Sequence, residues 1–291
     1  MGLCDEVRSH AARVAGSARL VTIDVEHFEA AGPVEEASMD PERHYLEGAR
    51  EDVARYLLAL DSINFGSGWF PTLRRRPGMS GYFTVASALA DRFRADGPWS
   101  NAELRAISAG EIASVLGQDA GHELTGLYAR ALNDLGGWLG DREAVEAVAA
   151  ARGSAERLAA QLAAGMPLFD DRGFWKRAQI AANDLSLGGV AELDDLDRLT
   201  IFADNLVPHV LRVDGVLRYD DDLAARVDAG EPLEPGSREE VEIRACAVHA
   251  CELIAPHLGV APRHLDVALW NRGQEPRYKA IPRHRTRTVF Y

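Results

Sequence analysis

Apolar residues recur at intervals of three and four along most of the chain. In residues 45–61 this spacing places Val53, Tyr56, Leu57 and Leu60 on one face. Such periodicity is typical of a helix with one buried side. The pattern predicts a helix over 45–61 and indicates a mostly helical protein.

Capping and stop signals frame the other predicted helices. The same periodicity predicts helices over 101–117, 122–139, 141–164, 237–255 and 262–271. Gly117 and the pair Gly136–Gly137 are expected to end the first two of these helices. Ser237 and Glu240 have the spacing of a capping box, and Pro256 is expected to end the helix that they begin.

Alternating strand patterns are scarce. Only 19–25 and 285–290 have much β character. Glycine and proline mark loops at 64–82 and 230–237. Since no internal repeat and no low-complexity linker divides the chain, the sequence predicts an all-α fold in a single domain over residues 1–291.

Composition and charge narrow the class of partner. The chain has 291 residues, of which 47% are hydrophobic and 26% are charged, a composition typical of globular proteins. The net charge of −13 argues against binding duplex nucleic acid, which requires a broad basic surface. It leaves room for a small anionic molecule held by a few local cations, and we expect a small-molecule substrate.

Targeting signals and cysteine pairs are missing from the sequence. The start, MGLCDEVRSH, lacks the apolar core of a signal peptide, and no apolar run approaches the roughly 18 residues of a membrane span. Cys4, Cys246 and Cys251 have no CxxC spacing, which argues against a disulfide framework or a thiolate zinc site. We expect a cytoplasmic protein that does not bind membranes.

Several common catalytic motifs do not occur. The chain has no GxSxG elbow, no HExxH, no P-loop, no EF-hand loop and no dinucleotide fingerprint. These observations favour chemistry that needs neither a metal nor a nucleotide cofactor.

Seven short segments carry aromatic, amide and charged residues that an ordinary core would not use. They are 60–71 LDSINFGSGWFP, 80–83 SGYF, 174–184 FWKRAQIAAND, 200–208 TIFADNLVP, 239–246 EEVEIRAC, 266–270 DVALW and 281–291 IPRHRTRTVFY. Taken together and in this order, they resemble the queuosine salvage protein family. The resemblance runs from about His44 to Tyr291, which is most of the chain.

The resemblance implies both a fold and an activity. It implies an all-α fold similar to DNA glycosylases, and hydrolysis of the N-glycosidic bond of queuosine 5′-monophosphate; the missing motifs add the expectation that no metal takes part. The products would be queuine, a modified 7-deazaguanine, and ribose 5-phosphate. The chain departs from the family at Asn205, where tyrosine is common, and at Asn271, where aspartate often follows the tryptophan.

Asp204 is the candidate catalytic residue. It lies in an apolar run beside Phe202 and Val207. Cleavage of an N-glycosidic bond develops positive charge on the sugar, which an ionised carboxylate in a water-poor pocket stabilises. The alternative is that Asp204 caps the following helix. In that case the catalytic carboxylate would have to be Asp266 or Asp184.

Five residues are candidates for contact with the base, and Asp204 is one of them. A carboxylate at Asp266 would accept from the two donors of a guanine-like edge, with Trp270 on the same helix face as an aromatic wall. Phe202 would stack on the base, and His44, at the start of the helix over 45–61, would contact the base or its polar substituent. The alternatives are core aromatics for Phe202 and Trp270, a solvated Asp266, and a capping or surface role for His44.

Local cations are candidates for the 5′-phosphate. Lys176 and Arg177 are adjacent in FWKRAQ, and Arg283 and Arg285 lie in the C-terminal tail. They stand out on an acidic protein, and cations of this kind bind phosphate. The alternative is that they pair with the many acidic residues.

Two other functional classes compete with the glycosidase. One is a non-catalytic protein that binds a modified nucleoside or docks on tRNA-modifying enzymes. The other is a nucleic-acid glycosylase, which the acidic balance disfavours. A carboxylate in a pocket favours the enzyme over the binder, because a binder gains nothing from such a group beside the ribose.

Overall fold

The structure, a computed structural model, describes residues 2–30 and 32–291, and helices dominate it. The helices are α1 (Leu3–Gly16), α2 (Arg50–Ser62), α3 (Gly81–Asp96), α4 (Asn101–Ala106), α5 (Ala109–Leu116), α6 (Glu123–Leu139), α7 (Ala144–Ala149), α8 (Ala155–Gly165), α9 (Lys176–Leu187), α10 (Val207–Val213), α11 (Asp221–Asp228), α12 (Arg238–Leu258), α13 (Pro262–Arg272) and α14 (Pro276–Lys279). The predicted all-α class is confirmed. The likeness to DNA glycosylases stays a prediction.

The described residues form one small sheet. Strand β1 (Val21–Ile23) pairs antiparallel with β2 (Leu217–Tyr219), so the strand predicted over 19–25 is confirmed. The strand predicted over 285–290 is wrong, since Arg285 forms only a single bridge with Pro232. The polar groups of the tail instead bond to separate partners, and the main-chain oxygen of Tyr291 accepts from Gly66 at 3.0 Å.

Two predicted helices are each split in two. The helix predicted over 101–117 is α4 followed by α5, because Ser108 and Glu111 form a second capping box inside it. The helix predicted over 141–164 is α7 followed by α8, because Ser154 begins a new helix by accepting from the N–H of Arg157. Local capping therefore overrides the helix propensity of these alanine-rich segments.

Two predicted helix ends are wrong. Gly136 and Gly137 lie inside α6, where a side chain at Gly136 would collide with Arg105 of α4, so this glycine permits close helix packing. Pro256 lies inside the last turn of α12, which continues to Leu258 and is capped by Gly259. Proline removes only one main-chain bond there, so the helix finishes its final turn.

The helix predicted over 45–61 begins later, at Arg50. His44 therefore does not open it but ends a turn, where its N–H bonds to the main-chain oxygen of Asp40 at 3.1 Å. Between them, the ring of Tyr45 packs against Tyr56 of α2 and occupies the space beside Gly48. The start of α2 is therefore displaced from the turn that carries His44.

Buried apolar residues from Leu3 to Tyr278 form one continuous cluster. Helix α12 lies within it, with α1 packed along one side. This continuity supports the proposal of a single domain. Within residues 2–30 and 32–291, no helix is long and apolar enough to cross a membrane.

Candidate active site

A large cavity opens where several segments of the chain meet. Among them, the turn at 38–44, the stretch 64–83, helix α9, the loop at 202–206, helix α13 and the tail at 280–285 line a space of ≈ 810 Å³. This volume suits a small organic ligand. Most of the predicted site residues line it: His44, Lys176, Phe202, Asp204, Asp266, Trp270, Arg283 and Arg285.

Three distant contacts fix the loop that carries Asp204. The N–H of Phe202 donates to Oδ1 of Asp266 at 2.8 Å. The main-chain oxygen of Ala203 accepts from Nε of Arg244 at 3.0 Å. The side-chain amide of Asn205 donates to the main-chain oxygen of His284 at 3.2 Å. Phe202, Ala203 and Asn205 are therefore each anchored to a different part of the chain.

The two oxygens of the Asp204 carboxylate have different surroundings. Its Oδ1 accepts from the N–H groups of Leu206 at 2.7 Å and Val207 at 3.0 Å, at the start of α10. The capping geometry expected as an alternative is therefore present. The side chain nevertheless lines the cavity and is only half-buried. Because both N–H groups bond to Oδ1, capping fixes the carboxylate without involving Oδ2.

Lys176 lies among carboxylates at the buried side of the cavity. It begins α9 and is 6% exposed. Burial lowers the pKa of Lys176, and among its neighbours the charge of Asp204 opposes this shift most, followed by Asp61. Its Nζ donates to the main-chain oxygen of Asn64 at 3.4 Å. Lys176 is therefore a counter-charge close to Asp204.

Asp266 is the more buried of the two predicted carboxylates. Burial raises its pKa well above the usual range, Asp204 adds to the shift, and the N–H of Phe202 opposes it. The carboxyl group therefore favours its protonated form in the free protein. A ligand edge that presents two donors would favour the charged form instead.

Helix α9 contributes further polar residues. Lys176, Ile180 and Asp184 recur every four residues, so they share one helix face, and all three line the cavity. Burial raises the pKa of Asp184 to about 6. Asn183 donates to Asp184 at 3.1 Å and also lines the cavity. Asn183 was not among the predicted site residues, although it lies seven positions after Lys176 and so on the same helix face.

Aromatic side chains form part of the cavity wall. The ring of Trp270 meets Tyr82 at 5.8 Å and Phe83 at 5.5 Å, both nearly edge-on. His44 donates from Nδ1 to the main-chain oxygen of Asp40 at 2.8 Å. Burial lowers the pKa of His44, so its neutral Nε2 accepts from the Tyr82 hydroxyl at 3.0 Å. His44 is thus neither a helix cap nor a surface residue.

Three arginines meet at the exposed side of the cavity. Arg283 and Arg285 come from the tail, and Arg75 comes from the loop before α3. Within residues 2–30 and 32–291, none of the three side chains has a hydrogen bond or a carboxylate partner. The neighbours of Arg75 are paired: Arg74 with Asp119 and Arg76 with Asp91. Arg75 was not among the predicted phosphate-binding residues, although the three successive arginines at 74–76 form a local cluster of positive charge.

Arg177 is not brought to the cavity. It is 1% exposed and donates to the main-chain oxygens of Ser62 at 2.6 Å and Asp61 at 3.2 Å. Its guanidinium lies between the rings of Phe65 and Phe169. Adjacent residues point to different faces of a helix, so only Lys176 of this pair reaches the cavity. Arg177 is therefore structural, and we do not assign it to the phosphate.

No group of three or more His, Cys, Asp and Glu side chains suited to hold a metal ion occurs within the described part of the chain. The cavity is lined by carboxylates that hydrogen bonds fix in place, and by arginines that have no partner among the described residues. A helical protein with such a cavity is of the class that binds small anionic ligands.

Comparison with known proteins gives the family. A family profile described as queuosine salvage protein matches residues 44–291. A protein of Sphaerobacter thermophilus, named queuosine 5′-phosphate N-glycosylase/hydrolase, is 35% identical over 90% of this chain and 88% of its own length. Proteins of the same name from Dictyostelium discoideum and Mus musculus are 36% and 35% identical, each over 40% of both chains. The chain belongs to the queuosine salvage protein family, as its ordered motifs predicted.

Proposed function

We propose that this protein hydrolyses the N-glycosidic bond of queuosine 5′-phosphate and releases queuine and ribose 5-phosphate for salvage into tRNA modification. Its relatives across bacteria and eukaryotes carry the name of this activity. One observation in the cavity carries the assignment of roles. The aromatic wall, the Asp204 carboxylate and the unpaired arginines all line the same cavity, so one nucleotide can meet them with its base, sugar and phosphate.

The base occupies the wall formed by Phe202, Asp266 and Trp270. Ionised Asp266 accepts from the two N–H donors of the guanine-like edge, using the lone pairs that the N–H of Phe202 leaves free. The ring of Phe202 stacks on the base. His44 and Tyr82, already joined by a hydrogen bond, contact its polar substituent.

The sugar lies over Asp204. Among neighbouring charges, that of Asp204 acts most strongly on both Lys176 and Arg283, so we place the carboxylate near both cations. As the bond from C1′ to the base nitrogen breaks, Oδ2 faces the positive charge that develops at C1′ and the ring oxygen. Water then adds to C1′, and the base leaves with a proton.

The 5′-phosphate lies between Arg283 and Arg285, with Arg75 as a third cation. These side chains are uncommitted, so they bind phosphate without breaking existing ion pairs. Lys176 lies with the carboxylates on the buried side. We therefore assign the phosphate to the tail arginines and keep Lys176 as the counter-charge of Asp204.

The leaving base constrains the chemistry. A 7-deazapurine has carbon in place of N7, so its departure cannot be helped by protonation at that position. Most of the catalytic effect must then come from stabilising the sugar cation, which is the role given to Asp204. A metal is not needed for any of these steps.

The proposed substrate is a free nucleotide in the cytoplasm, not a residue within duplex nucleic acid. The net charge of −13 supports this, because it disfavours contact with a long phosphate backbone.

Chromatography of the purified protein incubated with queuosine 5′-phosphate tests the proposal. We expect queuine and ribose 5-phosphate to appear in equal amounts. A binding protein would leave the nucleotide intact, and release of ribose 1,5-bisphosphate in place of ribose 5-phosphate would indicate attack by phosphate instead of water.

A further inference from the structure

Arg244 lies in the protein interior behind the loop that carries Asp204. It comes from α12 and is 2% exposed. It does not line the cavity. We infer that Arg244 is a positioning residue that holds the Asp204 carboxylate in its catalytic orientation. This inference rests on the proposed catalytic role of Asp204.

The guanidinium of Arg244 bonds in three directions. Nε donates to the main-chain oxygen of Ala203 at 3.0 Å, directly before Asp204. Nη1 and Nη2 donate to the two carboxylate oxygens of Asp171 at 3.1 and 2.5 Å. Nη1 also donates to Glu240 at 3.2 Å, one helical turn earlier. All three guanidinium nitrogens of Arg244 therefore have hydrogen-bond partners within the protein.

Two rings hold the guanidinium plane in place. Its central carbon lies 3.9 Å from the ring centre of Phe174 and 4.6 Å from that of Tyr291. Tyr291 itself lines the cavity. Stacking on two sides leaves the plane little freedom to tilt, so the Nε–H stays directed at Ala203.

The same network also fixes the start of α9. Oδ2 of Asp171 accepts from the N–H of Lys176 at 3.4 Å, and the main-chain oxygen of Asp171 accepts from Trp175 at 2.6 Å. Trp175 has a φ of 45°, in the left-handed region that non-glycine residues seldom adopt. Surrounding contacts must hold such a residue in place. Arg244 therefore joins the loop of Asp204 to the helix that carries Lys176.

Stability alone does not account for this network. Removing two or more charges from water is unfavourable, and buried ion pairs often contribute little net stability compared with apolar residues of the same volume. What an arginine provides here is geometry, because its planar fork meets a carbonyl and a carboxylate at fixed angles. Lysine keeps the charge but cannot reproduce this set of directions.

The test is Arg244→Lys, with queuosine 5′-phosphate as substrate. We expect kcat to fall by about 10- to 100-fold, as for a small displacement of a catalytic group, while KM stays within about threefold. Ile243→Ala is the matched control. Ile243 is the neighbour of Arg244 in α12 and is fully buried, so its variant lowers the melting temperature while the hydrogen bond from Arg244 to Ala203 keeps both of its partners. We expect its kcat to be normal below its melting temperature.

A double variant separates positioning from folding. If Arg244 acts through Asp204, then Arg244→Lys should lower kcat in the wild-type background but change it little in the Asp204→Asn background. A purely structural role would lower activity by the same factor in both backgrounds, and that result would overturn the inference. Normal activity of Asp204→Asn alone would instead overturn the proposed catalytic role of Asp204, whereas absence of queuine release by the wild-type protein would overturn the proposed function.

Asp171→Asn provides a second route if Arg244→Lys does not fold. It keeps the size of the side chain and weakens its pairing with Arg244. We expect the same pattern of lowered kcat and nearly unchanged KM. A raised KM with normal kcat in either variant would show that the network serves substrate binding, and would contradict a role in orienting Asp204.

Discussion

Oδ1 of Asp266 accepts a hydrogen bond from the N–H of Phe202 at 2.8 Å, which ties α13 to the loop two residues before Asp204. The proposed contact for the base and the proposed contact for the sugar are thus parts of one hydrogen-bonded unit. A displacement of either helix or loop changes both. Binding the base correctly therefore places C1′ relative to Asp204.

Binding of the base should release a proton from Asp266. Burial raises the pKa of this carboxyl group in the free protein, whereas the donors of a guanine-like edge favour its charged form. We therefore expect queuine to bind more tightly as the pH rises towards the pKa of free Asp266, by up to about tenfold per pH unit. Calorimetric titration with queuine, which has no phosphate, measures this between pH 6 and 8.5.

Asp266→Asn is the matched variant for this prediction. Its amide oxygen still accepts from Phe202, but the group no longer titrates and offers one acceptor in place of two. We expect affinity for queuine to fall by about 10- to 100-fold, and its pH dependence to flatten. A variant with the wild-type pH dependence would assign the proton to another group.

Substitution of the tail arginines should affect the phosphate alone. We expect Arg283→Gln combined with Arg285→Gln to lower kcat/KM for queuosine 5′-phosphate by about 100-fold or more, because each charge-assisted contact contributes about 1.5–3 kcal/mol and two are lost. The nucleoside queuosine, which lacks the phosphate, should be affected by less than about threefold. Parallel kinetics on the two substrates measure the difference.

Arg287→Gln is the control for these arginines. Arg287 lies in the same tail and is exposed, but it lies by Trp69 and Glu123 and does not line the cavity. Its variant should leave both substrates unchanged. An equal loss on nucleotide and nucleoside in the Arg283/Arg285 double variant would remove the proposed phosphate site.

The buried carboxyl of Asp184 should make stability depend on pH. Its folded-state pKa is raised by burial from 3.8 to about 6, so the folded protein holds this proton more tightly than the unfolded chain does. The stabilising contribution is complete below about pH 4 and is lost as the pH rises through about 6. Asp184→Asn removes the titration and should therefore gain roughly 2 kcal/mol relative to wild type between pH 4 and 7.5. Urea unfolding at both pH values measures this change.

Two details sharpen the stability measurement. Asp61 adjoins Asp184 and titrates with it, so the variant reports on the pair. Asp141→Asn, at an exposed aspartate, is the control and should shift stability equally at both pH values. An Asp184→Asn variant with the same shift at pH 4 and 7.5 would show that the carboxyl is not held protonated.

Most of the site residues predicted from the sequence line the cavity, and they could be found because they lie in short motifs. Asp204 and Asp266 stood out as carboxylates in apolar surroundings, and the tail arginines stood out on an acidic protein. Helical periodicity likewise located α6 and α13 closely. Each of these signals depends on neighbours in sequence, which is why it was visible without a structure.

What the sequence did not predict depends on contacts between distant segments. Arg75 was hidden because pairing of Arg74 and Arg76 with Asp119 and Asp91 is decided by the fold. Arg177 was assigned to the phosphate because adjacency in sequence does not tell which side of a helix faces a cavity. Asp204 was treated as either a cap or a catalytic group, whereas the structure gives it capping contacts through Oδ1 and a place in the cavity.

The sharpest prediction concerns the charge of Asp204. Asp204→Asn keeps the size of the side chain, and its amide oxygen still accepts from the N–H groups of Leu206 and Val207. The capping contacts are therefore preserved, since asparagine and aspartate cap helices about equally well. Only the negative charge facing the sugar is lost.

If that charge stabilises the transition state, kcat should fall by roughly 10²–10³ or more while KM stays within a few-fold. Thermal melting should be nearly normal, which excludes loss of folded protein as the cause. Asp204→Ala supplies the converse control, because it removes the capping contacts as well and should lower the melting temperature in addition to kcat. Near-normal turnover by Asp204→Asn would show that Asp204 is only a cap, and the catalytic carboxylate would then have to be sought at Asp266 or Asp184.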